Sequence, residues 1–270
     1  MRTAPLTVVD AWSMARRSCS RSCFCYHATW RPFRQAGVKS NPRWHLDFYQ
    51  QGLAGRTPAR VLVCGSSDET MPQLLTGLLP RAEVTVADAC PTPLRLIDAW
   101  ADWAGADVVT ARSHAPGLVG LSGPFDVIVT DGLLSLLPGT AARDALLARW
   151  AELLAGDGVL LYTTRLAGPG GQLEFDKPSR AVQALAAATW PAPPAERVRL
   201  ARERWQTPSR PAPYKTAGQV ADAFRAQFKQ VRVFTRAAAP TLTLAAHPAF
   251  WAGRGSVCVG VVAALPREER

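Results

Sequence analysis

From Arg60 onwards, apolar segments of strand length alternate with amphipathic segments of helix length, and this alternation constrains the fold more than any other feature of the sequence. It is typical of βαβ units, in which helices cover both faces of a parallel sheet. At 270 residues and 48% hydrophobic, the chain can bury a full core. The sequence therefore predicts an α/β fold built on a doubly wound sheet. The predicted strands are 60–64, 83–87, 107–110, 125–130, 158–164, 231–235 and 256–264.

Composition divides the chain into four parts. The first is basic and aromatic, with no sustained periodicity before Asn41-Pro42, which can begin a helix. We interpret it as an arm or lid, and Met14 is an alternative start that would leave residues 1–13 outside the native chain. A Gly/Pro-rich insertion carries two predicted helices, near 179–189 and 195–205. The predicted divisions are an arm at 1–57, a cofactor-binding core at 58–166, inserted cap helices at 167–215 and the rest of the same domain at 216–270.

Charge and hydropathy limit the cellular setting and the partners. The chain has 31 Lys+Arg against 21 Asp+Glu, a net charge of +10, and nearly all the basic residues are arginine. The largest local excesses of positive charge lie in the arm and near 195–210. They predict a basic rim around a small-molecule site rather than a surface that binds nucleic acid. The sequence contains no apolar run long enough to span a bilayer and no secretory h-region. We expect a cytoplasmic protein without membrane contact.

Six cysteines are spaced irregularly, which does not match the disulfide framework of a small secreted protein. Four potential metal ligands lie close together in the arm, namely Cys19, Cys23, Cys25 and His27. Zinc sites favour Cys-x2-4-Cys pairs separated by a longer loop, and this run has the spacing Cys-x3-Cys-x-Cys-x-His. The sequence therefore predicts free thiols and no metal.

Acidic residues stand at the ends of two predicted strands. Asp88 follows the second strand and Asp131 follows the fourth. In a doubly wound sheet, ligands bind at the carboxyl ends of the strands, and an acid about 20 residues beyond the first loop is placed to accept hydrogen bonds from ribose hydroxyls. Asp88 can also cap the next helix, although Thr92 followed by Pro93 serves that role. Asp131, which precedes Gly132, can also be an ordinary turn residue. The pattern favours a nucleoside-bearing cofactor.

At these residues the sequence resembles the class I S-adenosylmethionine-dependent methyltransferases. The resemblance runs from about Arg60 to Leu166 and implies a Rossmann-like doubly wound sheet, mostly parallel, with about seven strands and an antiparallel last strand. Together the motifs are fairly specific, although each is weak alone. The segments that carry it are Val61-Leu62-Val63-Cys64-Gly65-Ser66-Ser67, Val86-Ala87-Asp88-Ala89-Cys90, Phe125-Asp126-Val127-Ile128-Val129-Thr130-Asp131 and Leu154-Ala155-Gly156-Asp157-Gly158-Val159-Leu160-Leu161.

The glycine loop departs from the family's G-x-G-x-G pattern. Only Gly65 is present, because Ser67 and Glu69 stand at the second and third glycine positions, and Val63 replaces the preceding acid. Side chains therefore crowd a loop whose backbone normally approaches the cofactor. The resemblance implies S-adenosyl-L-methionine as the cofactor, and it assigns binding to ten residues: Cys64, Gly65, Ser66, Ser67, Asp88, Ala89, Ser113, His114, Asp131 and Gly132.

Catalytic residues are harder to identify, because methyl transfer is an in-line displacement in which positioning and exclusion of water supply much of the rate. A base is required only for a protonated acceptor, and the candidates are His45, Asp131 and Tyr162, with His114 as a further one. The predicted arm helix carries Trp44, His45, Phe48 and Tyr49 on two adjacent stripes. These stripes indicate either core packing or a lid that contacts the acceptor.

The sequence leaves the acceptor open. The fourth strand lacks the (Asp/Asn)-Pro-Pro-(Tyr/Phe) arrangement of base- and glutamine-directed enzymes, so we expect a small molecule. The basic segment 196–205 is either a solvated helix face or a cap over an anionic acceptor. A catalytically degenerate binding protein and an RNA methyltransferase are the alternatives, and the absence of G-x-G-x-x-G argues against an NAD-linked dehydrogenase.

Overall fold

The computed structural model describes residues 6–35, 42–167, 190–206, 213–237 and 257–266. Its centre is a seven-stranded sheet in the order β3-β2-β1-β4-β5-β7-β6. Strands β1 to β5 pair in parallel, whereas β7 pairs antiparallel with both β5 and β6. The mostly parallel, doubly wound sheet is thus confirmed. The strands are β1 Arg60–Cys64, β2 Glu83–Asp88, β3 Val108–Arg112, β4 Phe125–Asp131, β5 Leu154–Arg165, β6 Phe228–Ala237 and β7 Val257–Pro266.

Helices cover both faces of this sheet. Numbered in chain order, they are α1 Val8–Ser18, α2 Arg21–Gln35, α3 Pro42–Gly52, α4 Thr70–Leu78, α5 Pro91–Ala104, α6 Gly139–Leu153, α7 Pro194–Gln206 and α8 Ala217–Arg225. One core layer packs α6 and α8 against the sheet around Trp150, Tyr162 and Phe224. The opposite layer packs α3, α4 and α5 around Tyr49, Leu75 and Ile97. None of the described helices is both long and apolar enough to cross a membrane.

Helix α5 begins earlier than the sequence predicts. Its first residue is Pro91, with Cys90 as the N-cap, so the assignment of Thr92 as N-cap and Pro93 as first helical residue is wrong. Thr92 is instead fully buried, and its hydroxyl lies 3.0 Å from the Cys19 Sγ. Both Pro91 and Pro93 fit the first turn because a proline there sacrifices no intrahelical hydrogen bond. The backbone N–H of Cys90 is bound by the Asp88 carboxylate at 2.7 Å.

The arm contains two helices that its weak periodicity does not reveal. Helix α1 begins with a capping box, in which the Thr7 side chain accepts from the Asp10 N–H and the Asp10 carboxylate accepts from the Thr7 N–H. Its buried face is narrow, because Trp12 and Ala15 pack with Trp190 and Leu200 of the insertion in a small separate cluster. The predicted helix near 179–189 lies outside the described residues.

Helix α3 lies directly on the sheet at a glycine. A Cβ on Gly260 of β7 would come within 2.6 Å of the Phe48 ring, so only glycine allows this approach. Trp44, Phe48 and Tyr49 are all buried, which agrees with core packing of the aromatic stripes. His45 is partly exposed on the same helix. The close contact therefore fixes α3 so that His45 stands beside the carboxyl ends of β4 and β5.

Candidate functional site

An open cleft lies at the carboxyl ends of β1 and β4. One side is formed by the loop after β1, the first turns of α4 and the end of β4, and we call it the sheet wall. The other is formed by α2 and α3, and we call it the helix wall. The sheet wall comprises Gly65, Ser66, Ser67, Asp68, Thr70, Met71, Leu74 and Asp131, and the helix wall comprises Tyr26, Trp30, His45 and Tyr49.

The loop after β1 turns sharply at Gly65. Its φ is +72°, a left-handed conformation that strains any residue with a Cβ, so the glycine is required here. The Gly65 N–H donates to the Ala87 carbonyl at 2.8 Å, and the Ser66 hydroxyl donates to the Asp68 carbonyl at 2.6 Å. The Asp68 carboxylate accepts from the Thr70 N–H at the start of α4, as expected for a capping turn. The first glycine thus shapes the loop without the other two.

Both positions where the family pattern has further glycines are bound by α2. The Tyr26 hydroxyl lies 2.6 Å from the Ser67 Oγ. Arg31 pairs with Glu69 through contacts of 2.7 and 3.1 Å, and the two side chains are each only 12% exposed. The side chains that crowd the loop therefore hold the helix wall against it. Sequence reasoning missed Tyr26 and Arg31, whose partners lie 41 and 38 residues away.

Asp88 lies behind the loop and does not line the cleft. Its carboxylate accepts from the N–H groups of Ser66 at 3.1 Å and Cys90 at 2.7 Å, so it couples the loops after β1 and β2. Burial raises the pKa of Asp88, although these N–H groups, that of Ala89 and the charge of His114 oppose the shift. Ser113 is buried with its hydroxyl on the Val119 carbonyl, whereas His114 is exposed.

His45 and Asp131 meet across the cleft. The His45 Nε2 lies 3.9 Å from the Asp131 Oδ1, and the Thr163 hydroxyl lies 3.4 Å from the same nitrogen while donating to the Asp131 Oδ1 at 2.6 Å. Burial acts to raise the pKa of Asp131, but the neighbouring His45 imidazole, the Thr163 hydroxyl and the charge of Arg165 lower it overall. The carboxylate is therefore ionised beside the imidazole at neutral pH.

Three other residues named from the sequence lie around the cleft without facing it. Tyr162 is fully buried on the opposite face of the sheet, between Trp150 and Phe224. Cys64 is fully buried too, and burial raises its pKa to about 12. Gly132 follows the carboxyl end of β4, and its N–H donates to the Thr163 carbonyl at 2.7 Å. Burial on the far face gives Tyr162 no access to an acceptor in the cleft.

The basic helix α7 packs against the arm. Leu200 is fully buried in the cluster with Trp12 and Ala28, and its carbonyl accepts from the Cys25 thiol at 3.6 Å. Arg197 donates to the Ala192 carbonyl at 2.6 Å, and Arg199 pairs with Glu196 at 3.7 Å. Neither arginine lines the cleft. This part of the helix agrees better with a solvated face than with a cap over an acceptor.

Solved structures share this architecture at low sequence identity. The chain superposes on Haemonchus contortus phosphoethanolamine N-methyltransferase 2 with a TM-score of 0.60 and 13% identity, covering 97% of this chain and 61% of that protein. That structure contains phosphomonomethylethanolamine and S-adenosylhomocysteine. The fold is that of the class I methyltransferases. The chain spans about three fifths of the length of the Haemonchus methyltransferase.

Two further solved structures extend the comparison. The N-terminal domain of EvdMO1 with SAH bound has a TM-score of 0.50 and 18% identity, over 85% of this chain and 82% of that one. The YcgJ protein from Bacillus subtilis has a TM-score of 0.52 and 13% identity, over 84% of this chain and all of that one. No protein-family model matches the sequence, and no curated protein matches it. At these identities the likeness is one of fold.

Proposed function

We propose that the protein is an S-adenosylmethionine-dependent methyltransferase that acts on a small molecule whose accepting atom carries a proton. The observation that carries the proposal is the His45–Asp131 pair, which faces an open cleft at the strand ends where this fold binds ligands. When bound, S-adenosylmethionine supplies an electrophilic methyl group on a sulfonium. The arm, the core, the inserted segment and the C-terminal part would then form one catalytic domain.

The residues around the cleft fit such a cofactor. Gly65 allows the loop backbone to approach a ligand, and the Asp68 and Asp131 carboxylates place negative charge where a sulfonium and an ammonium group would be attracted. We assign the ribose to Asp88 and the adenine to Ser113 and His114, as the resemblance implies. Both Asp88 oxygens already accept backbone N–H groups, so a ribose hydroxyl would bind at a lone pair that these groups leave available.

His45 is the proposed general base. Its imidazole lines the cleft, and a proton leaving the acceptor would pass to it as the new bond forms. Asp131 and Thr163 are positioning residues, because they fix the ring and the carboxylate stabilises the imidazolium that results. A positioned base typically contributes about 10² to 10⁴ in rate. Tyr162 has no part in this proposal.

The charge of the cleft bears on the acceptor. Its described lining includes Asp68 and Asp131 but neither arginine nor lysine. Such a lining disfavours the anionic acceptor suggested by the basic insertion, and it likewise disfavours RNA, whose phosphates require cationic partners. We therefore propose a neutral or cationic acceptor, such as a phenol or an amine.

A second function is favoured by the loop itself. The pairs Tyr26–Ser67 and Arg31–Glu69 place side chains at two positions where the family pattern has glycine. A chain that had lost methyl transfer and retained only nucleoside or partner binding would tolerate this crowding. Such a degenerate protein is the alternative to be tested directly.

Calorimetric titration with S-adenosylmethionine and S-adenosylhomocysteine tests the first step. We expect micromolar dissociation constants for both, and the absence of heat with either would contradict the methyltransferase proposal. Incubation with S-adenosylmethionine and a panel of phenols, amines and carboxylates, followed by mass spectrometry, tests the second. Methylated phenol or amine supports the proposal, whereas cofactor binding without product from any acceptor supports the degenerate alternative.

A further inference from the structure

Three thiols from distant parts of the chain converge beside the β2 end. Cys19 is the C-cap of α1, Cys23 lies in the first turn of α2, and Cys90 is the N-cap of α5. Cys90 is 71 residues from Cys19 and 67 residues from Cys23. We call these residues the three-cysteine cluster. It differs from the set suggested by sequence, because the Cys25 thiol instead donates to the Leu200 carbonyl and His27 is buried.

The distances in this cluster match those around a metal ion. The Cys90 Sγ lies 3.7 Å from both the Cys19 and the Cys23 Sγ, and all three sulfur atoms lie within 4.8 Å of one another. Zinc–thiolate bonds of about 2.3 Å in tetrahedral geometry place neighbouring sulfur atoms about 3.8 Å apart. Two of the edges already have this length, so a small movement of Cys19 or Cys23 completes the triangle.

Helix termini supply a second argument. Cys23 lies in the first turn of α2 and Cys90 is the N-cap of α5, so both sulfur atoms stand at helix N-termini, where the helix dipole attracts negative charge. Cys19-x3-Cys23 followed by a distant third cysteine is also the usual arrangement of zinc ligands, a close pair and a remote partner. All three residues are partly buried, so an ion there would be shielded without being sealed from solvent.

We propose that the three-cysteine cluster binds one zinc ion through three thiolates, with the fourth position taken by water or a small ligand. Zinc suits the set because thiolate ligands exclude magnesium and calcium, and the tetrahedral geometry needs no further protein group. The expectation of free thiols, drawn from spacing alone, considered only ligands within the arm. The remote ligand, Cys90, becomes apparent only when the fold brings β2 to the arm.

The site would clamp the arm to the cofactor-binding core. Cys90 follows Asp88 by two residues, and the Asp88 carboxylate binds the Cys90 N–H. Cys19 and Cys23 flank the α1–α2 junction. The described ties of this junction to α5 include the hydrogen bond from Arg95 to Ser18 at 2.7 Å and the Cys19–Thr92 contact. A zinc ion would therefore link the helix wall to the loop after β2. Its presence does not depend on whether the protein transfers methyl groups.

Metal analysis of the full chain tests the proposal. The protein is purified under reducing conditions, incubated with zinc chloride, desalted and analysed by elemental mass spectrometry. We expect about one zinc ion per chain in the wild type, and less than about one tenth in Cys90→Ser or Cys23→Ser. Cys25→Ser is the matched control, since it removes a thiol from the same helix without touching the cluster, and it should retain zinc. Equal zinc contents in Cys90→Ser and Cys25→Ser would overturn the proposal.

Two measurements on the wild type remain informative if a cluster variant fails to fold. Cobalt substitution should give sulfur-to-cobalt charge-transfer absorption and the d–d bands of a tetrahedral site, which zinc then displaces. A chelator should lower the melting temperature of the zinc-loaded wild type, and zinc should restore it. Two results would overturn the proposal. One is less than about one tenth of an equivalent of zinc after loading, and the other is a disulfide within the cluster that persists under reducing conditions.

Discussion

The sheet wall and the helix wall of the cleft are held in place by different forces. On the sheet wall, backbone hydrogen bonds fix Gly65 to Ala87 and Gly132 to Thr163, both at the ends of paired strands. On the helix wall, α2 and α3 reach the loops mainly through side-chain pairs that cross the cleft. The difference indicates that the backbone fixes the sheet wall, whereas side chains determine the position and the chemistry of the helix wall. Substitution of the His45 imidazole, which faces the cleft, should therefore affect function more than the fold.

The largest expected effect comes from removing the imidazole of the helix wall. We expect His45→Ala to lower kcat by about 10² to 10⁴, because the acceptor proton then has no positioned base. Because the side chain of His45 is only 13% exposed, its removal also costs some stability, so kcat is measured at a temperature at which the variant remains folded. Steady-state kinetics on an acceptor identified by the panel above, together with added imidazole to restore activity, provide the measurement.

Asp47→Ala is the matched control on the same helix. The Asp47 carboxylate pairs with Arg236 at 3.6 Å, and both side chains are nearly half exposed, so its loss should change stability by less than about 1 kcal/mol. It should leave kcat unchanged. Full turnover by folded His45→Ala would exclude a catalytic base at this position and would make the helix wall a structural element only.

The sequence predicted the sheet wall far better than the helix wall. Strand ends follow from local runs of apolar residues, so the positions of Gly65, Asp88 and Asp131 at the edge of the sheet could be inferred without any tertiary information. The roles of Tyr26, Arg31 and Thr163 could not, because each depends on a partner more than 30 residues away. No local periodicity encodes such a contact.

Burial also separates what could be inferred from what could not. Tyr162 has the chemistry of a catalytic group, and its neighbour in sequence, Thr163, does not stand out. Alternation along β5 places Tyr162 in the core and Thr163 beside Asp131. When both faces of a strand are buried, both are apolar, so the sequence does not reveal which side chains point to which face of the sheet. The choice between these two positions therefore required the fold.

A second prediction addresses the ion pair that joins the two walls. Arg31 and Glu69 are each 12% exposed, so Arg31→Met would leave a carboxylate without its partner in a poorly solvated place. We expect the free energy of unfolding to fall by about 2 to 4 kcal/mol, near the cost of breaking a buried pair. Denaturant unfolding measures this loss. Because α2 would then be released from the loop, the affinity for S-adenosylhomocysteine should also decrease.

The double variant Arg31→Met/Glu69→Gln separates charge from packing. Removing the stranded carboxylate should recover most of the lost stability, since no uncompensated charge remains. Arg149→Met is a useful comparison, because the side chains of Arg149 and its partner Glu152 are 28% and 51% exposed. Strictly additive losses in the double variant would contradict a direct interaction across the walls, and they would place α2 under the control of other contacts.

The smallest expected effect is a pH dependence of stability at Asp131. Because the pKa of Asp131 is lowered in the folded protein, its carboxylate stabilises the fold at pH values above the ordinary value of 3.8. This stabilisation is lost as the pH falls through the lowered pKa. Asp131→Asn keeps an oxygen for the Thr163 hydroxyl and removes only the charge. With the side chain 42% exposed, solvent screening limits the difference to less than about 1 kcal/mol at pH 7.

Thermal unfolding of both proteins from pH 3 to pH 8 measures this difference. The wild type should be the more stable at neutral pH. The two should begin to converge as the pH falls below the ordinary value of 3.8, and they should meet only below the lowered pKa of Asp131, where the wild-type carboxyl is also neutral. Asp102→Asn, an exposed change on α5, controls for the loss of a carboxylate elsewhere. A gap that instead widens in acid would mean that burial dominates at Asp131. The Asp131 carboxylate would then destabilise the folded protein, and its pairing with His45 would not hold the two walls together.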